Sequence, residues 1–370
     1  MLVNGKHYRT IWLNPSDDKA VSIIDQTKLP HSFETIDLRS VEDFRRAIKD
    51  MWVRGAGLIG ATAGYGMYVA ALEAKDENFD DDIKKFGEIL LATRPTAKNL
   101  SWAVERMIKK ICRNELSAEQ KRKIAKDEAE SIANEDAEFC RKIGENGLEI
   151  IREISKEKNG STVNVLTHCN AGWLAFTDYG SALSPIYAAK NAGIDIHVWV
   201  DETRPRNQGA SLTAWELGRQ GVTHHLIADN SGGHLMQRGL VDMVIVGADR
   251  VSLGGDAANK IGTYLKALAA KDNDVPFFAA FPSSTFDFEI FDGVLEIPIE
   301  ERTSQEVRVI GGKDKNGDIC EVCICPDSTP AKNWGFDVTP ARLITKLITE
   351  RGVFEPNKDA ILRFYPEAAL

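Results

Sequence analysis

The 370-residue chain lacks the features that mark secreted, membrane-spanning and nucleic-acid-binding proteins. Its six cysteines are sparse and irregularly spaced, which argues against a disulfide framework. No stretch approaches the ~18 apolar residues of a membrane helix, and the opening residues, MLVNGKHYRTIW, have no cationic segment followed by an apolar run. A net charge of -9 disfavours a nucleic-acid surface. We therefore expect a cytoplasmic protein whose anion sites are built locally.

Three of the cysteines lie together in the string CEVCIC, at Cys320, Cys323 and Cys325. A closed zinc site needs four ligands, and no second pair stands at a suitable spacing, so we expect no metal here. The favoured alternative is a β-strand whose small thiols pack as buried apolar groups. The polar stretch 311–318 before it is typical of a hairpin turn.

The pattern of apolar residues changes along the chain and predicts two parts. Three short runs in the first forty residues, HYRTIWL, AVSIID and ETIDL, predict a small antiparallel sheet. From residue 41 to about 154, apolar residues recur at three- and four-residue spacing, which predicts helices, one of them starting at Ser117. The length also favours two domains, which we place at residues 1–155 and 156–370.

After residue 159 the sequence predicts an α/β fold with a parallel sheet. Strand-like runs cover 163–167, 194–200, 224–228, 243–246 and 276–281, with stretches between them that are mostly long enough for helices. The polar strings THCNAG, DETRP, ADNS, GADRV and PSSTFD follow these runs. Because open α/β sheets bind ligands at the carboxyl ends of their strands, we expect a site at this edge.

Cys169 follows the first of these strands and precedes Asn170-Ala171-Gly172, where we expect a turn to open the next helix. A helix N-terminus favours the thiolate form of cysteine, which makes Cys169 a candidate reactive residue. The alternative is a buried, inert cysteine. Neighbours on a strand point to opposite faces, so we expect His168 to pack or hydrogen-bond elsewhere and not to pair with Cys169.

Asp249 ends the run MVIVGAD at the same predicted edge. Apolar surroundings favour a protonated carboxyl group, as a general acid near neutral pH requires. The alternatives are a cap for the next helix or a salt bridge to Arg250.

The segment GGDAANKIGTY resembles an anion cradle, in which backbone N–H groups at a helix start and Lys260 hold a phosphate and Asn259 donates a further hydrogen bond. Arg54 precedes a second helical stretch, and Arg94-Pro95-Thr96 begins a turn. Arginine suits bidentate phosphate contacts, and the alternative is a solvated or salt-bridged side chain. Gln208 is a candidate ligand for a sugar hydroxyl.

Seven strings in order resemble the methylthioribose-1-phosphate isomerase family: RGAGLIGATAGYG, RPTAKNL, THCNAG, DETRPRNQGASLTAWEL, GADRV, GGDAANKIGTY and FDVTPARLITKLITERG. They span nearly the whole chain. The wider superfamily includes ribose-1,5-bisphosphate isomerases and regulatory subunits of a translation initiation factor's exchange complex. The resemblance implies a homodimer with a small N-terminal domain of helices and a short antiparallel sheet, and a Rossmann-like C-terminal domain. It also implies an aldose-ketose isomerase of methionine salvage without metal or nicotinamide.

The resemblance also assigns roles to nine residues. It implies that Cys169 and Asp249 are the catalytic pair. The implied substrate contacts are Arg54, Gly55, Ala56, Arg94, Gln208, Asn259 and Lys260.

The chain departs from the family's usual pattern near these residues. Gly57 stands where the pattern has proline, Ser211 where it has arginine, and Trp334-Gly335 where it has Pro-Ala, while GGDAANK replaces NGDVANK. These neighbours leave the substituent on C5 of the sugar open between methylthio, hydrogen and phosphate. A non-catalytic protein that senses phosphosugars or nucleotides is the remaining alternative.

Overall fold

The structure, a computed structural model, describes residues 1–94 and 97–369. The strands of its N-terminal part are β1 (Leu2–Val3), β2 (Lys6–His7), β3 (Ile11–Leu13), β4 (Val21–Ile24) and β5 (Thr35–Leu38). The helices are α1 (Val41–Lys49), α2 (Ala56–Glu73), α3 (Phe79–Leu91), α4 (Lys98–Ile111) and α5 (Ala118–Glu157). Strands β3, β4 and β5 form an antiparallel sheet, which confirms the prediction for the first forty residues.

Helix α2 lies at the centre of this part, between α4 and α5. It is apolar on all sides and buried from Ala56 to Ala71, as expected for a helix surrounded by others. Helix α5 begins where the sequence predicts, because Ser117 and Gln120 form a reciprocal capping box. Among the described residues, no helix is long and apolar enough to cross a lipid bilayer.

The C-terminal part alternates strands and helices. Its strands are β6 (Val163–Thr167), β7 (Ile196–Asp201), β8 (Thr223–Ile227), β9 (Met243–Val246), β10 (Arg250–Ser252), β11 (Ala257–Lys260), β12 (Phe277–Ala280), β13 (Phe286–Asp287), β14 (Val309–Lys313), β15 (Ile319–Cys323), β16 (Phe336–Thr339), β17 (Lys346–Thr349) and β18 (Gly352–Phe354). Its helices are α6 (Ser184–Asn191), α7 (Ala214–Arg219), α8 (Gly232–Gln237), α9 (Thr263–Asp272), α10 (Gly293–Glu296), α11 (Gln305–Arg308) and α12 (Lys358–Phe364).

Seven of these strands form one sheet in the order β18-β17-β12-β9-β6-β7-β8, parallel except for β18. Strands β6, β7, β8, β9 and β12 confirm the five predicted runs. The sheet also contains β17 and β18, which the apolar runs did not predict. Since β6 and β9 are neighbours, the segments that follow them, with Cys169 and Asp249, emerge side by side.

A second sheet, in the order β13-β10-β11-β16, carries Asn259 and Lys260 on β11. Beyond it, β14 and β15 form the predicted hairpin. The prediction of buried thiols there is wrong. Every residue of β15 is exposed, including Cys320 and Cys323, and β14 and β15 form a two-stranded sheet of their own.

Candidate active site

A cavity with about 460 Å³ of space lies at the carboxyl edge of the parallel sheet, against the start of α2. It brings together all nine residues that the sequence nominates. They are Arg54, Gly55, Ala56, Arg94, Cys169, Gln208, Asp249, Asn259 and Lys260. Pro95 and Thr96, which follow Arg94 in the predicted turn, lie outside the described residues.

The backbone of Cys169 adopts a left-handed conformation with φ 68°. Such a conformation costs a non-glycine residue on the order of 1–3 kcal/mol and is found where function requires it. Two hydrogen bonds hold it: the Cys169 N–H donates to Oγ1 of Thr203 at 2.8 Å, and the hydroxyl of Thr213 donates to the Cys169 carbonyl at 2.7 Å. The chain therefore turns sharply at the candidate catalytic thiol.

No α-helix opens directly after Cys169, so that prediction is wrong. A short 3₁₀ segment, Trp173–Ala175, follows, and α6 begins only at Ser184. The loop is held in this non-helical conformation by the Glu216 carboxylate, which accepts hydrogen bonds from the backbone N–H groups of Trp173 and Leu174 at 2.8 and 2.9 Å. The positive charge near the thiol comes instead from Arg54, whose Nη2 lies 3.9 Å from Sγ.

Gln208 contacts the thiol from the other side. The Sγ atom of Cys169 donates to Oε1 of Gln208 at 3.4 Å, and both side chains are buried. Gln208 directly precedes a π-helical turn, Gly209–Thr213, a feature common at functional sites. Glycine is required at position 209, because a Cβ there would lie 1.7 Å from the Asp201 carbonyl oxygen.

Asp249 lies between β9 and β10, half-buried, with its backbone N–H donating to the Ala258 carbonyl at 2.8 Å. A strand follows it, so it does not cap a helix. Arg250 instead reaches Asp287, with Nη1 3.3 Å from Oδ2. The Asp249 side chain lines the cavity, as general acid catalysis requires.

The start of α2 forms one wall of the cavity. Gly55 precedes the helix with φ 93°, and no side chain of the described residues caps the first N–H groups. A Cβ at Gly55 would lie 2.5 Å from Cα of Ala175, so only glycine brings the helix this close. Free N–H groups and the helix dipole make this end of the helix suited to an anion.

Two buried cations, Arg94 and Lys260, also line the cavity. Burial lowers the pKa of both groups. The effect is opposed by Glu300, whose Oε2 lies 4.0 Å from Nη2 of Arg94, and by Asp249 for Arg94, and by Cys169 and Asp249 for Lys260. The Lys260 amine donates to the Gly335 carbonyl at 3.1 Å and lies 4.5 Å from the centre of the Phe336 ring. Because buried cations are costly, an anionic ligand stabilises the charged form of both.

The predicted anion cradle at the start of α9 is wrong in its backbone geometry. Asn259 and Lys260 lie on β11, two or more residues before the helix. The amides of Gly262 and Tyr264 donate to the Asp337 carboxylate at 2.7 and 3.1 Å, so that helix start already has its anion. The two side chains still reach the cavity, and the helix start that faces it belongs to α2.

One group of three candidate metal ligands occurs among the described residues, at His168, Asp201 and Asp229. The amine of Lys266 already supplies a cation there, 3.2 Å from Oδ2 of Asp201 and hydrogen-bonded to the Asp229 carbonyl. The chemistry of this group therefore fits a salt-bridged cluster better than a metal site.

Sequence reasoning missed Asn170, which directs Arg54 into the cavity. The Arg54 guanidinium donates from Nη1 to Oδ1 of Asn170 at 2.7 Å and from Nη2 to the Asn170 carbonyl at 2.8 Å. The signal was present in the string HCNAG, where the residue after the cysteine has an amide side chain that can both donate and accept hydrogen bonds. Its partners lie 116 and 46 residues away, at Arg54 and Glu216, and only the fold brings them together.

Comparison with known proteins shows the family of the chain. Residues 52–356 match the model of the Initiation factor 2 subunit family. Methylthioribose-1-phosphate isomerase of Paramagnetospirillum magneticum is 55% identical over 369 residues, covering 100% of both chains. The chain belongs to the methylthioribose-1-phosphate isomerase family.

A second relative with that name, from Sulfurimonas denitrificans, is 55% identical over 96% of this chain and 98% of its own. The solved structure of 5-methylthioribose 1-phosphate isomerase from Pyrococcus horikoshii OT3 has a TM-score of 0.83 at 40% identity, covering 98% of this chain and 97% of that one. Subunit delta of translation initiation factor eIF-2B from A. fulgidus has a TM-score of 0.78 at 38% identity, covering 97% and 100%. The chain therefore shares its fold with both the isomerase and the initiation factor subunit.

Proposed function

We propose that the protein is an aldose-ketose isomerase that converts 5-methylthioribose 1-phosphate into 5-methylthioribulose 1-phosphate. The observation that carries the proposal is one cavity lined by a thiol, a carboxyl group, buried cations and the start of a helix. Full-length relatives at about 55% identity carry the name of this isomerase and support the choice of substrate.

The phosphate binds at the start of α2, where it meets free N–H groups and the side chains of Arg54, Arg94 and Lys260. Phosphorylation at C1 blocks the simple ring opening of a free aldose, so the enzyme must assist it. Asp249, in its protonated form, gives a proton to the ring oxygen as the C1–O bond breaks. Hydrogen then moves from C2 to C1, and the 2-hydroxyl gives its proton to the Asp249 carboxylate, which forms the ketose and restores the acid.

Cys169 acts in this second step by one of two routes. In the first, its thiolate removes the C2 proton and returns a proton to C1 through a cis-enediol. In the second, it stabilises the positive charge that ring opening leaves at C1 while hydride shifts from C2 to C1. In either route the Arg54 guanidinium, whose Nη2 lies 3.9 Å from Sγ, is close enough to contact the sulfur.

A larger groove, with about 1560 Å³ of space, shares Met51, Arg54 and Gln208 with the cavity, and we place the C5 substituent there. Its other charged lining residues include Arg206, paired with Glu306 at 2.9 Å, and Glu321. Apart from Arg54, the charges that line the described groove therefore do not favour a second phosphate. This supports an uncharged C5 substituent such as methylthio over ribose 1,5-bisphosphate.

We further propose that the enzyme works in methionine salvage, in the cytoplasm, as a homodimer, with domains at residues 1–155 and 156–370. No step requires a metal or nicotinamide, so EDTA leaves the rate unchanged. The alternative of a non-catalytic sensor has no use for Cys169 and Asp249 in one cavity.

Phosphorus and proton NMR of the purified protein with 5-methylthioribose 1-phosphate test the proposal. The expected result is the resonances of the 1-phosphoketose, and no conversion would favour the sensor. In deuterated solvent, deuterium at C1 of the product indicates proton transfer. Retention of substrate C2 deuterium indicates the hydride shift.

A further inference from the structure

Glu216 is a fully buried carboxylate that accepts four hydrogen bonds. Its Oε1 accepts from Nδ2 of Asn170 and from the Leu174 N–H, both at 2.9 Å. Its Oε2 accepts from the Trp173 N–H and the Tyr187 hydroxyl, both at 2.8 Å. Burial raises the pKa of Glu216, and these hydrogen bonds oppose the effect. An ionised group without a salt-bridge partner among the described residues is costly to bury, and the four donors offset that cost.

The amide of Asn170 connects this carboxylate to the cavity. A carboxylate can only accept, so it forces the NH₂ group of Asn170 toward itself and the amide oxygen toward the opposite side. There Oδ1 accepts from Nη1 of Arg54 at 2.7 Å. The chain of contacts runs from Glu216 through Asn170 to Arg54, whose Nη2 lies 3.9 Å from Sγ of Cys169.

We infer that Glu216 is a positioning residue for the isomerisation: it sets the orientation of the Asn170 amide and thereby aims the Arg54 guanidinium at the thiol and the phosphate. The inference rests on the proposed function. Glu216 is not among the described residues that line the cavity, so it acts through its hydrogen-bond partners, and Asn170 is the partner that contacts Arg54.

Glu216→Gln tests this orientation directly, because it keeps the size of the side chain but replaces one acceptor oxygen with an NH₂ donor. The new NH₂ group then faces either the Asn170 and Leu174 donors or the Trp173 and Tyr187 donors. The Asn170 amide can relieve the clash by rotating, which turns its NH₂ group toward the Arg54 guanidinium. We expect kcat/KM for 5-methylthioribose 1-phosphate to fall about tenfold to a hundredfold, as for other small displacements of a catalytic group.

A double-mutant cycle separates positioning from general destabilisation. In an Arg54→Ala background the guanidinium that Glu216 positions is absent. If the inference holds, Glu216→Gln then lowers kcat/KM by less than about a further threefold. An equal cost in both backgrounds would overturn it. Asn170→Ser provides a second route, because it removes the bridge and leaves Glu216 its three other donors. It is expected to reproduce the kinetic defect of Glu216→Gln.

Tyr187→Phe is the matched control, since it removes one donor to Glu216 on the side away from Asn170. It is expected to lower Tm while kcat/KM stays within about twofold of the native protein. If kcat/KM falls in the same proportion to Tm in Tyr187→Phe as in Glu216→Gln, the role of Glu216 is merely structural. That result would overturn the inference.

A readout without turnover keeps the two proposals distinguishable. The affinity for inorganic phosphate, measured by calorimetry in the same four-variant cycle, is expected to fall in Glu216→Gln only when Arg54 is present. An inactive native protein would overturn the proposed function, while this cycle still decides the role of Glu216. Unchanged phosphate affinity and turnover in Glu216→Gln would overturn the inference.

Discussion

Nδ1 of His168 lies 2.8 Å from Oδ2 of Asp201, and both side chains are buried. The second ring nitrogen, Nε2, lies 2.8 Å from the carbonyl oxygen of Ile261, directly after Lys260. Both ring nitrogens therefore have hydrogen-bond partners other than the thiol. His168 connects the loop that carries Cys169 to the segment that carries Lys260, and it is not the base for the thiol.

The catalytic assignment predicts that Cys169→Ser and Asp249→Asn keep their fold and lose most turnover. Each removes a group that transfers a proton or stabilises charge, and such groups contribute about 10²–10⁴ in rate. Initial rates by NMR, with circular dichroism to check the fold, measure the effect. Near-normal activity in either variant would sink the role assigned to that residue.

His168→Gln is the control for this pair. It removes the bridge to Asp201 or to Ile261, so it is expected to lower the free energy of unfolding by about 1–3 kcal/mol. Turnover should fall less than in Cys169→Ser, because His168 carries no proton for the reaction. A loss as large as that of Cys169→Ser would contradict the finding.

Replacement of Lys260 by methionine is expected to separate binding from stability. Burial of the Lys260 amine lowers its pKa, so its charge is costly in the absence of an anion. Lys260→Met should therefore change the unfolding free energy of the ligand-free protein by no more than about 1 kcal/mol. The KM for substrate and the inhibition constant of inorganic phosphate should both rise at least about tenfold, the loss of one charge-assisted contact. Unchanged values of both would remove Lys260 from the phosphate site.

Gly55→Ala tests the close approach of α2 to the loop at Ala175. The positive φ costs about 1 kcal/mol, and the 2.5 Å contact forces the helix start to move away from the cavity. Gly160→Ala is the matched control, with φ 78° and no atom within 4 Å of its added Cβ. Both variants should lose stability, and only Gly55→Ala should lose substrate affinity. Equal KM values in the two would contradict the placement of the phosphate at α2.

Asp136 is expected to make stability depend on pH. Burial raises its pKa from 3.8 to about 7, so the folded protein binds one more proton than the unfolded chain between these values. The stability that protonated Asp136 contributes is present below pH 4 and is lost as pH rises through 7. Asp136→Asn should therefore match the native protein near pH 4 and exceed it by up to about 4 kcal/mol at pH 8, at 1.36 kcal/mol per pKa unit. Urea unfolding at both pH values measures this, and a difference that does not change with pH would contradict it.

The sequence predicted the sheet and the edge that carries the site, because both follow from local patterns. The apolar runs ended where β6 and β9 end, and Cys169 and Asp249 follow them directly. The same local reasoning failed for the helix expected after Cys169. There the loop amides donate to Glu216, which is more than forty residues away in the chain, and no local signal reports such a partner.

Departures from the family pattern illustrate the same limit. Gly57 stands where proline is usual, and a Cβ at this position would lie 2.1 Å from Oδ1 of Asp136 on α5. The Asp136 side chain fills the space that a larger residue at position 57 would need. Because Asp136 is far away in the sequence, the reason for glycine at position 57 could not be read from the sequence. The exposed Cys320 and Cys323 show the converse, since a correctly predicted strand carried no information on what covers it.

The most direct test of the account compares initial rates, by phosphorus and proton NMR, for 5-methylthioribose 1-phosphate, 5-deoxyribose 1-phosphate and ribose 1,5-bisphosphate. The account predicts that the methylthio compound is converted fastest and the bisphosphate slowest. The charges that line the larger groove beside the cavity do not favour a second phosphate. Fastest conversion of the bisphosphate, or no conversion of any of the three, would contradict it.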